Sequence, residues 1–224
     1  MASPRIGVIS PTEVAFPTVR AAFAELWPKA QPICLLDQSL YADFINEDMT
    51  VPDVMPDEAY ARIARLLCYS NECGADAVLF CGSVFGRLVE AGRVGIAVPV
   101  LTSYEAMIAA AFAEGNRLGI LATTPGTIKC LSDDIERFAQ ANGLTYELVS
   151  GVADRAFEAL LEGDRDRHDD LVVKAAEQIT DCDSLMLGQF SMGLVPQKIL
   201  PVEGRPVFTA PGTAVARLRQ LFES

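Results

Sequence analysis

Arg5-Ile6-Gly7-Val8-Ile9-Ser10 returns, slightly altered, as Arg117-Leu118-Gly119-Ile120-Leu121-Ala122. A second stretch follows each copy: Asp76-Ala77-Val78-Leu79-Phe80 returns as Asp183-Ser184-Leu185-Met186-Leu187. Each is a short apolar run led by a charged residue, and such runs read as parallel strands buried on both faces. The repeat divides the chain into two halves of about 110 residues, an ordinary domain size. Working outward, the first half carries strand patterns at Ile6–Ile9, Ile33–Leu36, Ala77–Phe80 and Val98–Leu101. The second carries them at Leu118–Leu121, Tyr146–Val149, Leu185–Leu187 and Val207–Phe208. Helical spacing fills Thr18–Leu26, Asp57–Cys73, Glu105–Glu114, Thr127–Ala141, Ala156–Glu162, Asp169–Ile179 and Thr213–Phe222. Strand and helix alternate throughout, which predicts parallel α/β architecture.

Composition narrows the classes. Half of the 224 residues are apolar, enough for a large core and too many for disorder. The formal charge of −12 disfavours nucleic acid and anionic membrane surfaces as partners. No apolar run approaches the roughly 18 residues of a spanning helix, and no secretory leader pattern opens the chain, so a cytoplasmic protein is expected. The six cysteines, Cys34, Cys68, Cys73, Cys81, Cys130 and Cys182, form no CxxC pair. With a single histidine, His168, no metal site or disulfide framework is expected. His168 lies in the polar stretch from Gly163 to Asp170 and reads as solvated or helix-capping; Asp133-Asp134 and Asp169-Asp170 read as solvated helix starts. GxGxxG after the first strand, GxxxxGK[ST] and GxSxG are all missing, which removes the usual signatures of dinucleotide, P-loop and α/β-hydrolase chemistry.

Ligands of open α/β sheets bind beyond the carboxyl ends of strands. The turns there are Ser10-Pro11-Thr12, Cys81-Gly82-Ser83, Thr123-Thr124-Pro125-Gly126-Thr127, Gly188-Gln189-Phe190-Ser191 and Thr209-Ala210-Pro211-Gly212-Thr213. They are short, rich in hydroxyls and free of Lys and Arg. Any one hydroxyl reads as a helix N-cap. Five such turns together point to a seat for a small carboxylate, built from hydroxyls and helix N-terminal amides. The candidate substrate-binding residues are Ser10, Thr12, Gly82, Ser83, Thr123, Thr124, Phe190 and Ser191. Cys81 stands at a strand end before small residues and a helix, so a lowered thiol pKa and the fastest alkylation of the six cysteines are expected of it.

Several pieces carry a family resemblance: Leu35-Leu36-Asp37-Gln38-Ser39-Leu40, Gly74-Ala75-Asp76, Ser83-Val84-Phe85-Gly86, Glu105-Ala106-Met107, Leu121-Ala122-Thr123-Thr124-Pro125, Gln189-Phe190-Ser191-Met192 and Thr209-Ala210-Pro211. Their order and spacing resemble the aspartate/glutamate/hydantoin racemase superfamily, which includes arylmalonate decarboxylase and maleate isomerase. The resemblance implies two flavodoxin-like domains related by a pseudo-twofold, with parallel sheets and an active-site cleft between them. Residues 1–101 plus 206–224 would form the first domain and 102–205 the second. It also implies cofactor-independent proton transfer at the carbon next to a carboxylate of a small amino-acid-like or dicarboxylate substrate, and an enzyme that forms a homodimer. Racemases of the family face two cysteines across that carbon, whereas the decarboxylase keeps one. Here the second-half position is Gln189, neither acid nor base. Aligned on Ser83-Val84-Phe85-Gly86, the first-half cysteine falls on Gly82, with Cys81 one residue earlier. Cys81 is then the catalytic proton-transfer residue and Gln189 orients the substrate. Racemase or isomerase, one-thiol decarboxylase and non-catalytic small-acid binder all stay open on these residues.

Overall fold

The structure is a computed structural model in which residues 3–46, 51–199 and 205–223 are described. The chain forms two compact units, Met1–Ser103 with Ala214–Ser224, and Tyr104–Thr213. Unit 1 holds strands β1 (Arg5–Ser10), β2 (Gln31–Leu36), β3 (Ala77–Phe80) and β4 (Val100–Leu101) in the order β2-β1-β3-β4, all parallel. Unit 2 repeats this arrangement with β5 (Arg117–Ala122), β6 (Glu147–Val152), β7 (Ser184–Leu187) and β8 (Val207–Thr209) in the order β6-β5-β7-β8. All eight expected strands are present. The return to the first domain comes later than the expected residue 206, because Val207–Thr209 pairs with β7 and belongs to unit 2.

The charged residues that open the repeated strands share one task. Arg5 and Asp76 exchange backbone bonds: the Asp76 N–H donates to the Arg5 carbonyl at 2.7 Å, and the Arg5 N–H donates to Asp76 Oδ2 at 2.7 Å. Arg117 and Asp183 do the same, at 2.7 and 2.9 Å. The Arg117 guanidinium adds two further bonds to Asp183 Oδ1. These backbone and side-chain donors hold the Asp183 carboxyl below the usual carboxylate range. Each pair fixes the register at which the third strand joins the first, and the apolar runs then lie fully buried.

Helices cover the sheets. In unit 1, α3 (Asp57–Glu72) buries Ala59, Ile63 and Leu67 at helical spacing against Ile9, Val78 and Phe80. Its first turn carries Asp57 and Glu58, which suit the positive end of the helix. α1 (Ala15–Leu26) buries Val19 and Phe23. In unit 2, α8 (Arg165–Ala176) places Val172 and Ala176 in a cluster with Leu121, Leu185, Leu187, Met192 and Val195. The remaining helices are α2 (Ser39–Phe44), α4 (Gly86–Gly92), α5 (Glu105–Glu114), α6 (Pro125–Asn142), α7 (Ala156–Leu161) and α9 (Ala210–Glu223), with a 3-10 segment at Phe190–Lys198. No helix among the described residues is long and apolar enough to cross a membrane. Asp133-Asp134 are not a helix start. α6 begins at Pro125 behind its N-cap Thr124, and the two carboxylates pair in mid-helix with Lys129 and Arg137.

Gly119, the glycine of the second repeated strand, lies against the chain before β7. A Cβ there would stand 2.7 Å from Cys182 Sγ and 3.0 Å from the Ser184 carbonyl. Gly119→Val is therefore expected to lower the unfolding free energy by about 1–3 kcal/mol through overpacking. A urea titration with an unchanged midpoint would contradict this.

Candidate active site

Equivalent strands end at equivalent hydrogen bonds. The Cys81 N–H donates to the Ile9 carbonyl at 2.7 Å, and the Gly188 N–H donates to the Leu121 carbonyl at 2.8 Å. Cys81 is thus the counterpart of Gly188, and Gly82 is the counterpart of Gln189. Side chains alternate along a strand. Cys81 continues the face of Leu79, Val8 and Cys34, where Arg20 of α1 reaches Cys34 Sγ at 3.6 Å. It is only 5% exposed.

The expectation of an activated thiol at Cys81 is overturned. α4 begins only at Gly86, too far along to lend Cys81 the positive end of a helix. Burial, and secondarily the neighbouring Cys34 thiol, push the Cys81 thiol well above its ordinary range. The Gly82 position, where the resemblance places a cysteine, has no room for a side chain. A Cβ there would lie 2.6 Å from Phe80 Cε1, 3.0 Å from Phe85 Cδ2 and 3.2 Å from Pro11 Cδ. The Phe80 and Phe85 rings pack edge-to-face over that spot.

Unit 2 shows a different arrangement at the same level. The Thr123 N–H donates to Gln189 Oε1 at 2.9 Å, which fixes the orientation of the carboxamide. Gln189 Nε2 then donates to Thr123 Oγ1 at 2.8 Å and to Thr127 Oγ1 at 3.2 Å. Thr124 caps α6 by accepting the Thr127 N–H, and its hydroxyl donates to Thr127 Oγ1 at 3.0 Å. Both Thr123 and Thr127 therefore serve as acceptors toward Gln189, and each keeps one hydroxyl proton to offer. Those two protons lie at the start of an 18-residue helix whose first-turn amides also seek acceptors. Thr127 was not among the expected binding residues. Its signal was the Thr-Pro-Gly-Thr spacing, in which an N-cap bonds the amide three residues on.

The other expected residues divide. The Ser10 hydroxyl is committed to its own turn, donating to the Thr12 carbonyl at 2.7 Å and accepting the Thr12 N–H at 3.2 Å, and Ser10 is fully buried. Thr12 and Ser83 are half-buried, and neither makes a side-chain hydrogen bond among the described residues. Phe190 is buried, and Ser191 presents its carbonyl to Arg165 at 2.5 Å. Near the carboxyl end of β2, Arg62 forks onto Asp37 at 2.8 and 2.9 Å and also reaches Asp43. Burial works against the Asp37 carboxylate, but the Ser39 hydroxyl and Arg62 together hold it below the usual range. A cation therefore does stand near a strand end, already neutralised by two carboxylates.

His168 is neither solvated nor a cap. It is fully buried, its Nδ1 lies 2.8 Å from Asp169 Oδ1, and its Nε2 has no partner among the described residues. Asp169, 3% exposed, also accepts from Lys198 Nζ at 2.8 Å, so it is no solvated helix start. Asp164 is the cap of α8 instead. Among the described residues no cluster of three or more His, Cys, Asp or Glu is placed to hold a metal ion.

The family model described as Asp/Glu/Hydantoin racemase matches residues 6–218. The chain belongs to the Asp/Glu/hydantoin racemase family. Solved structures share the fold of this family member at low identity. Allantoin racemase from Klebsiella pneumoniae is 20% identical, with TM-score 0.66 over 99% of this chain and 88% of that one. Glutamate racemase from Francisella tularensis, in complex with D-glutamate, is 16% identical, with TM-score 0.69 over 100% and 82%. Unliganded arylmalonate decarboxylase is 19% identical, with TM-score 0.59 over 97% and 92%. No curated protein sequence matches.

Two measurements check this geometry. Exposed Cys68 and Cys73 should react first with a thiol reagent in the native protein, and buried Cys81 well after them. Cys81 labelling as fast as Cys68 would show the burial to be wrong. Burial lowers the His168 pKa. Its contribution to stability is therefore complete above the unfolded value near 6.5 and is lost as pH falls through the folded value. As pH falls from 7 to 5 the native protein should lose more stability than His168→Asn. Parallel pH profiles of unfolding would refute this.

Proposed function

We propose that this family member is a cofactor-independent isomerase-type enzyme. It moves a proton at the carbon alpha to a carboxylate of a small amino-acid-like or dicarboxylate substrate. What supports the reading is the hydroxyl pair at the start of α6, oriented by the Gln189 carboxamide. Thr123, Thr127 and the first-turn amides of α6 receive the substrate carboxylate, with Thr124 holding the turn. As charge develops on that carboxylate in the enediolate, fixed donors stabilise it more than they stabilise the ground state.

Proton transfer is assigned to Cys81 on the family resemblance, and it requires the buried Sγ to become accessible when substrate binds. Gln189 carries no titratable group, so a second thiol is missing at that position and two-base racemisation loses a partner. The absence of a titratable group at Gln189 favours a second reading, one-thiol decarboxylation of an arylmalonate-type diacid. In that step the bond from the alpha carbon to one carboxyl breaks and releases CO2. Its electron pair forms the enediolate, the Cys81 S–H delivers a proton to the alpha carbon, and the thiolate regains a proton from water. A thiol that stays protonated suits donation better than abstraction.

The test is deuterium incorporation at the alpha carbon of aspartate, glutamate and an arylmalonate in heavy water. Native protein should incorporate deuterium, and Cys81→Ala should slow it by about 10²–10⁴-fold. Thr123→Val should cost about 10²-fold by removing one donor. Incorporation with retained optical purity, or CO2 release, selects the one-thiol reading over racemisation. As a donor, Cys81 gives a rate level through neutral pH that falls only where the thiol ionises. Equal rates for native protein and Cys81→Ala sink the assignment.

A further inference from the structure

The Gln189 turn is gripped from sides that its own hydrogen bonds to Thr123 and Thr127 do not explain. Just before it, the Tyr104 hydroxyl donates to the Gly188 carbonyl at 2.5 Å. Just after it, Arg165 Nη1 donates to the Ser191 carbonyl at 2.5 Å. The far end of the 3-10 segment, Lys198, donates to Asp169 Oδ2 at 2.8 Å. Arg165 and Asp169 both belong to α8, four residues apart and so on one helix face. One face of α8 thus holds the 3-10 segment at its first turn and at its last residue.

The clamp is built around a buried charge. The Asp169 side chain is 4% exposed, and every strong partner it has is accounted for: His168 Nδ1 at 2.8 Å, Lys198 at 2.8 Å and Arg165 Nη1 at 3.9 Å. Burying one carboxylate against a guanidinium and an ammonium that stay partly exposed is a poor route to stability alone, since an apolar substitution of similar volume often does as well. What such a cluster supplies is a single fixed geometry. Here the fixed object is the backbone of Ser191, two residues from the Gln189 side chain that orients Thr123 and Thr127. A shift of about 1 Å at a catalytic group is enough to cost orders of magnitude in rate.

We propose that Arg165, acting with Asp169 and Lys198, is a positioning residue that sets the Gln189 carboxamide and, through it, the Thr123 and Thr127 hydroxyls. The function assigned to this clamp rests on the reading of Thr123, Thr127 and Gln189 as the substrate seat. The clamp itself is measured without substrate.

The experiment compares Arg165→Met, Arg165→Lys and, as control, Arg167→Met by NMR and amide hydrogen exchange. Arg167 lies on the same helix but pairs only with exposed groups, Glu162 at 3.5 Å among them. In Arg165→Met the Thr123 amide should exchange at least about tenfold faster, as expected for loss of one hydrogen bond. The Gln189 carboxamide signals should shift at the same time, while the central β5 amides of Gly119 to Leu121 keep their native rates. Arg165→Lys should restore part of the protection, and Arg167→Met should leave all signals native. If Arg165→Met does not fold, Lys198→Met, which removes a half-exposed partner at the other end, should give the same selective change. Exchange that rises uniformly across the unit 2 sheet would show a structural role only, and unchanged Thr123 and Gln189 signals would show none; either overturns the proposal. Absence of alpha-carbon exchange in native protein would refute the substrate reading while leaving these amide results intact.

Discussion

Parallel pairing with a period of two governs what each strand end can present. The third strand of each sheet joins the first in a register locked by an Arg–Asp exchange at its start, and it finishes at matched bonds, Cys81 to Ile9 and Gly188 to Leu121. Once that register is set, one step along the chain chooses the face of the sheet. Cys81 and Gln189 differ by that one step. Their side chains therefore leave in different senses, and the two units offer unlike chemistry on a shared frame.

The strands were legible because burial on both faces writes unbroken apolar runs, and the duplicated Arg-x-Gly and Asp-led patterns mark the same pairing twice. The long helices were legible through spacing such as Ala59, Ile63, Leu67. α2, α4 and the 3-10 segment were not, since six to nine residues carry little periodicity; of the short helices only α7, with its Ala156, Ala159 and Leu160 spacing, was read. The site was read in part. Hydroxyl-rich turns pointed to Thr123 and Thr124, but nothing in residue identity shows that Ser10 closes on its own turn. The thiol at Cys81 was misjudged because its environment depends on where α4 begins and on which face the side chain takes.

The stretch around His168 shows another limit. Asp, Arg and His in succession read as a solvated surface, and most of them are. Asp169 is buried because Lys198, on a segment far along the chain, and its neighbour His168 meet it there. Polarity along a sequence reports the cost of burial, while the partners that offset this cost are distant in sequence.

Phe80 and Phe85 seal the space beside Gly82, and this closes an evolutionary route. The first-half cysteine of the two-thiol pattern cannot be placed at Gly82 by a single glycine-to-cysteine exchange, because the new β-carbon would collide with an aromatic ring that is itself core. The ring would have to shrink first, and that step alone opens a void in unit 1 and weakens the protein. Between the present packing and one with a cysteine at this position lies a less stable intermediate. Packing alone therefore holds this position to glycine.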